Sequence, residues 1–277
     1  MIPFPGRSRR SGAKRPVRLC AAAVVVVAVA SCGSSDDTKT LSPDPSFVEE
    51  GALTVCTSPP YEPFEFEKNG ETVGFDIDLA DAVAKELGLE TVIVNADFKA
   101  VSSGKVLNDG QCDVAAAALT ITGERARVLD FSSPYFNATQ AMVVRSDSGI
   151  GSLDDLRNGT IGVQTGTTGE LYVTDNAPRG TEIVPYKLAS DVDAALDDGE
   201  VDAAVYDRTV VSDVLTNYPD FELADEFDTG EQYGMAVKKN SNVDLLRIIN
   251  DVLANLQAGE GYNAIYARWI GGTPEGQ

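Results

Sequence analysis

A ten-residue segment recurs 89 positions further along the chain. Leu107-Asn108-Asp109-Gly110-Gln111-Cys112-Asp113-Val114-Ala115-Ala116 is echoed by Leu196-Asp197-Asp198-Gly199-Glu200-Val201-Asp202-Ala203-Ala204-Val205. Each copy reads as a helix end, a glycine stop and a buried strand. Two such units in 277 residues imply two lobes of like construction. The echo aligns Cys112 with Val201, a core position, and Ala118 with Asp207.

The surrounding pattern supplies the rest of each lobe. Leu53 to Thr57 reads as a strand, followed by a stiff loop, Ser58-Pro59-Pro60-Tyr61-Glu62-Pro63-Phe64. Phe64-Glu65-Phe66 alternates, and Asn69-Gly70 is a hairpin turn signal. Ile77, Ala80, Val83, Ala84 and Leu87 share one helical face, with Gly88 as its stop. Strand Thr91–Val94, a helix to about Asn108 and the apolar run Val114–Leu119 complete a β-α-β-α-β pattern, which builds a parallel sheet. Thr122 reads as the N-cap of a following helix, with Glu124 and Arg125 in its first turn. A strand entering a helix N-terminus offers free N–H groups to an anion, and the Arg125 fork suits a carboxylate. Read alone, the stretch is equally a capped helix with a solvated arginine.

In the second half, strand Thr160–Gln164 runs into Thr165-Gly166-Thr167-Thr168-Gly169-Glu170, where Thr167 and Glu170 have capping-box spacing. Ser190 reads as the cap of a helix ending at Gly199, and strand Val201–Val205 finishes at Asp207. Ala141–Arg145 and Gln232–Val237 read as crossings between lobes. Helices Val243–Leu256 and Tyr262–Ile270 are expected to cover the first lobe.

Residues 1–31 read as an export signal: six basic residues, no acidic ones, then the short apolar run Leu19–Ala30. Val29-Ala30-Ser31-Cys32 resembles a bacterial lipobox, in which Cys32 is lipidated and becomes the mature N-terminus. Residues 32–46 read as a flexible tether. The remainder carries 16 basic and 43 acidic residues, a net of −27, which excludes nucleic acid as a partner. The chain has no histidine, which removes His-based catalysis and His-ligated metal sites. No metal or other cofactor is expected. Cys56 and Cys112 either pair in a disulfide, as export permits, or remain as core thiols.

Ligands of open α/β sheets bind beyond the carboxyl ends of the strands. Two lobes facing each other there would oppose Arg125 to Asp207, which matches the carboxylate and ammonium of an α-amino acid. The motifs TSPPYEPFEF, GETVGFDIDLADAVAKEL, DVAAAALTITGERARVLDFSSPYF, IGVQTGTTGELY, VDAAVYD, QYGMAVKK and GYNAIYARWIG, in this order over Leu53–Gly271, resemble the family 3 extracellular solute-binding proteins, the polar amino acid receptors of ABC importers.

That resemblance implies a two-lobed, type II periplasmic-binding-protein-like α/β fold: lobe 1 from 47–140 and 236–277, lobe 2 from 141–235. It implies a lipid-anchored monomer on the outer face of the cytoplasmic membrane, delivering its ligand to permease subunits. By matched position, Arg125 and the Thr120–Ala118 region hold the α-carboxylate, helped by Thr167 and Thr168. Asp207 holds the ammonium, Tyr61 and Phe98 stack around the ligand, and Ser58 and Gln164 set side-chain preference. Receptors for basic amino acids often carry an acid where Ser58 stands, so the expected ligand is neutral and polar. Lys99 offers a loose second cation for an acidic side chain. The rival classes are a dehydratase-like enzyme on the same fold and a ligand-sensing receptor subunit, which would need a transmembrane segment after Gly271.

Overall fold

Two five-stranded sheets organise the chain in the computed structural model, which describes residues 45–274. The signal segment, Cys32 and most of the tether lie outside the described residues. The first sheet begins with β1 (Ala52–Thr57). A hairpin of β2 (Phe66–Lys68) and β3 (Glu71–Val73) follows, turning through Asn69 and Gly70 at positive φ, as the Asn-Gly pair predicts. Helix α1 (Phe75–Leu87) ends at Gly88 in the left-handed conformation, and β4 (Glu90–Asn95) pairs parallel with β1.

The expected single helix to Asn108 is two short ones, α2 (Phe98–Ser102) and α3 (Lys105–Asn108). Gly104 separates them, at φ 74°. The apolar run also departs from expectation. Only Val114–Ala115 forms a strand, β5, and Ala118 turns the chain aside at φ 44°. No α-helix follows. Thr122 Oγ1 accepts from the Arg125 N–H at 3.1 Å, but this starts a single 3-10 turn, Arg125–Arg127. The anion seat expected at a helix N-terminus is therefore a loop. Strand β6 (Leu129–Phe131) closes the lobe, in the order β4-β1-β5-β12-β6.

The chain then enters the second sheet as β7 (Phe136–Arg145), longer than the lone strand expected at Ala141–Arg145. A 3-10 turn (Leu153–Leu156) capped by Ser152 leads to β8 (Thr160–Gln164), α4 (Thr168–Asn176) and β9 (Glu182–Tyr186). Then come α5 (Ala189–Asp197), β10 (Ala203–Asp207), α6 (Val211–Asn217) and β11 (Phe221–Tyr233). Ser190 lies inside α5, and the Asp191 carboxylate takes the Leu188 N–H instead. The sheet order is β11-β7-β10-β8-β9. Strand β12 (Ala236–Lys238) returns to the first sheet, where α7 (Val243–Ala258) and α8 (Gly261–Trp269) pack on α1.

The sequence echo is a structural repeat. Asp113 Oδ2 accepts from the Thr54 N–H (2.9 Å) and hydroxyl (2.6 Å), and its own N–H donates to Thr54 Oγ1 at 2.9 Å. Asp202 Oδ2 accepts from the Thr160 N–H (2.8 Å) and hydroxyl (2.9 Å), and its N–H donates to Thr160 Oγ1 at 3.0 Å. The same brace thus fixes the strand after the glycine turn against β1 in the first lobe and against β8 in the second.

An aromatic cluster joins the crossings. Phe64 packs edge-on against Phe75, Phe136 and Tyr233, with ring centroids 5.9, 5.1 and 5.2 Å away. Phe136 opens β7 and Tyr233 closes β11, so both connections between the sheets are tied to the loop after β1.

Cys56 and Cys112 form a disulfide, resolving the alternative left open by the sequence. It links the end of β1 to the turn before β5, with a sequence separation of 56. Closing a loop of that length restrains the unfolded chain by about 4 kcal/mol. The Cys56→Ala, Cys112→Ala double variant should therefore melt roughly 10 °C below the oxidised wild type by calorimetry. A loss under about 2 °C would mean that the bond restrains little.

Candidate functional site

A cavity between the lobes is lined by Ser58, Tyr61, Phe98, Ala118 and Thr120 from the first and by Gln164, Thr167, Thr168 and Asp207 from the second. These are nine of the ten residues expected at a site. The tenth, Arg125, stands beside them with its guanidinium over the Phe98 ring, 5.5 Å from the centroid. Lys99 is exposed and lines an outer groove instead.

Arg125 is buried, and it spans the lobes. Nη1 donates to the Thr120 carbonyl of the first lobe at 2.8 Å, and Nη2 to the Gly166 carbonyl of the second at 2.9 Å. Neither partner carries a formal charge. Burial lowers the guanidinium pKa, while Asp207 and then Glu231 pull it back up.

Asp207 ends β10, buried, and accepts from the Gln140 amide and the Tyr233 hydroxyl. Burial raises its pKa to about 6, with Glu231 adding to the rise; Tyr233, Gln140 and Arg125 oppose it. Both of its donors come from the crossing strands, β7 and β11. Among the described residues Arg125 and Asp207 form no salt bridge with each other or with any other group.

Strand β8 and helix α4 bring in the second lobe's threonines. Thr167 caps α4 by accepting from the Glu170 N–H at 3.0 Å, as its spacing predicts. The Glu170 carboxylate reaches the Gly166 N–H at 2.6 Å, one residue short of the capping-box partner. Gln164 Nε2 donates to the Lys187 carbonyl at 3.2 Å.

Glu65 also lines this cavity and was not foreseen. Phe64-Glu65-Phe66 alternates in sequence, yet Glu65 is 1% exposed, between buried Phe64 and Phe66. The strand begins only at Phe66, and before it Tyr61 and Glu65 form a tight turn, with N–H to O distances of 2.7 and 3.1 Å. Gly74 lets that turn sit against the start of α1. A Cβ there would lie 2.1 Å from the Phe64 carbonyl oxygen. The N–H groups of Phe75 and Asp76 donate to Pro63 and Phe64 at 2.9 and 3.1 Å, so the loop itself occupies the helix terminus. Glu65 Oε2 and the Ser58 hydroxyl are both buried without a hydrogen-bond partner among the described residues. Burial first, then the charges of Asp76 and Asp207, holds Glu65 well above the usual carboxylate range.

Asp76, fully buried at the start of α1, shapes the floor. Its Oδ2 accepts from the Ala118 N–H and the Tyr135 hydroxyl, both at 2.7 Å. It thereby holds Ala118 at its unusual backbone angle. Burial raises Asp76 to about 7 against the pull of these two donors.

A family model, bacterial extracellular solute-binding proteins, family 3, matches residues 53–272. A probable histidine-binding protein of Neisseria gonorrhoeae is 30% identical over 227 residues, 78% of this chain and 82% of its own length. An ancestral arginine-binding protein, solved bound to arginine, is 40% identical with a TM-score of 0.75, covering 80% of this chain and 99% of that one. Holo ArgBP from T. maritima is 37% identical with a TM-score of 0.71, covering 79% and 96%.

The buried acids fix a pH dependence. Asp207 and Asp76 titrate near 6 and 7 when folded, above an unfolded aspartate at about 4. Their neutral forms favour the fold, so that contribution is complete below about pH 4 and is lost as pH rises through 6 to 7. No histidine titrates in this window. For Asp207 the loss is on the order of 3 kcal/mol between pH 4 and pH 7. The ligand-free protein should melt higher at pH 5 than at pH 8, and Asp207→Asn should flatten that slope. A melting temperature that rises from pH 5 to pH 8 would contradict it.

Proposed function

The chain belongs to the bacterial extracellular solute-binding proteins, family 3, and from that premise we propose that its ligand is a basic amino acid, arginine foremost, gripped at three points. It is an extracytoplasmic amino-acid-binding protein of an ABC importer, which hands its ligand to the cognate permease without transforming it. The α-carboxylate meets Arg125 and the α-ammonium meets Asp207. The side chain extends between Tyr61 and Phe98 toward Ser58, Gln164 and Glu65. Thr167 and Thr168 close over it from the second lobe.

The observation that carries this reading is the unpartnered, buried carboxylate of Glu65 on the cavity wall. The case for a neutral ligand rested on the missing acid at Ser58, and Glu65 supplies an acid to the same wall. Arginine carries two positive groups and one negative. Asp207 and Glu65 offer a carboxylate to each positive group and Arg125 offers a guanidinium to the negative one, so each charge of the ligand finds a partner. A guanidinium also stacks well between aromatic rings.

Lobe 1 is read as 47–140 with 236–277 and lobe 2 as 141–235, with β7 running through the first boundary from Phe136, and the two close on the ligand as a monomer. Cys32, lipidated, would hold the protein to the membrane's outer face, which the lipobox-like residues before it favour.

Calorimetric titration with arginine, lysine, histidine and glutamine tests the ligand. Arginine should bind tightest. Arg125→Ala and Asp207→Ala should each weaken it by about 2–5 kcal/mol, roughly 30-fold to several thousand-fold. Glu65→Gln should weaken arginine while glutamine changes little, and the surface control Arg247→Ala should alter neither. If glutamine outbinds arginine in the wild type, the Glu65 assignment fails. If Arg125→Ala stays within about threefold of wild type, the carboxylate is held elsewhere.

Cys32→Ala should release the protein from membranes or leave it unprocessed on fractionation. Membrane-bound protein of processed size would contradict the anchor.

A further inference from the structure

Glu231 touches the site from the second crossing strand. Its hydrogen-bond neighbours come from three places: the loop at Thr120, helix α4 and strand β7. The Thr120 hydroxyl donates to Glu231 Oε2 at 2.9 Å, and the Thr168 hydroxyl donates to the same oxygen at 2.7 Å. Gln140 Nε2 donates to the other oxygen at 3.2 Å and to Thr168 Oγ1 at 3.2 Å. Thr120 belongs to the first lobe and Thr168 to the second, so the arrangement is complete only when they meet.

The backbone is built to aim this carboxylate inward. In β11, Phe227 pairs with Gln140 of β7, and Glu231 pairs with Ala138. Four steps along one strand thus answer two along the other. Residues 228–230 are looped out, with Gly230 at φ 60°. Such bulges redirect the side chain that follows them.

A threonine hydroxyl has one hydrogen. Here both hydrogens go to Glu231, so Thr120 and Thr168 can offer a ligand only lone pairs. We propose that Glu231 is a positioning residue: it turns these two hydroxyls into acceptors that favour the ligand's α-ammonium and repel its carboxylate. The threonines then serve the carboxylate only through backbone N–H groups. This rests on the amino-acid reading of the site but not on which side chain the ligand carries.

Replacing Glu231 by glutamine keeps its shape and removes the charge. With its oxygen toward the threonines the new amide would set its NH2 against the Gln140 amide, donor to donor. The flipped amide relieves that clash but sets its NH2 against both hydroxyls, which then accept from it and are free to turn their hydrogens toward the ligand.

The test measures Kd by calorimetry for L-arginine, L-argininamide and 5-guanidinopentanoic acid, which is arginine without its α-amino group. Glu231→Gln should weaken L-arginine and L-argininamide alike, by about ten- to a hundredfold. It should change the deaminated compound by less than about threefold. Thr120→Val should weaken L-arginine in the wild type and add little in the Glu231→Gln background. L-glutamine and its deaminated analogue, run in parallel, score the choice of side chain separately. The proposal is overturned if Glu231→Gln leaves L-arginine and L-glutamine within about threefold of wild type. It is equally overturned if all three arginine compounds weaken by the same factor, which is the mark of a merely structural role.

Discussion

Arg125 and Asp207 are both buried where the two lobes meet, and they do not pair. A direct bridge would neutralise both and leave little for a zwitterion to bind. Instead each is held by uncharged partners: Arg125 by the Thr120 and Gly166 carbonyls, Asp207 by Gln140 and Tyr233. Neutral hydrogen bonds fix their positions and offset part of the desolvation cost, yet leave both charges without an ionic partner among the described residues. The remainder of the architecture follows from keeping them apart. One sits on a loop of the first lobe, the other at a strand end of the second, and the partners of Asp207 come from the crossings that connect them.

Such a site is unfavourable on its own. Asp207 and Glu231 act on a single guanidinium, Asp76 and Asp207 act on Glu65, and burial raises the pKa of Glu65, Asp76 and Asp207. Stability is given up locally and recovered elsewhere, in the repeated Asp-Thr braces and in the aromatic cluster around Phe64.

The sequence revealed what obeys regular periods. The helix face of α1, the Asn-Gly turn and the Thr167 cap all follow from residue spacing. The echo between Asp113 and Asp202 announced two like lobes, and the shared brace explains why those residues recur. What escaped were the side chains that irregular backbone redirects. Glu65 sits in an alternating triplet, but the strand starts only at Phe66, so the alternation says nothing of where its side chain goes. Glu231 is turned in by the bulge at 228–230, and no local pattern marks it. The run after Val114 looked like a long strand because alanine is silent about φ; the Asp76 carboxylate, 42 residues away, bends it at Ala118.

The Cys56–Cys112 bond lies wholly within the first sheet's lobe and crosses neither connection between the lobes. It therefore ties together the half that carries Ser58 and leaves the two crossing strands free of any cross-link. A cross-link acts chiefly by restricting the unfolded chain, so its contribution exists only where thiols are oxidised. The chain is thus firmest in the oxidising space where it binds its amino acid. Before translocation, with the same thiols reduced, it folds less firmly and is easier to keep threadable. One covalent bond separates the stability suited to passage through a membrane from the stability suited to work beyond it.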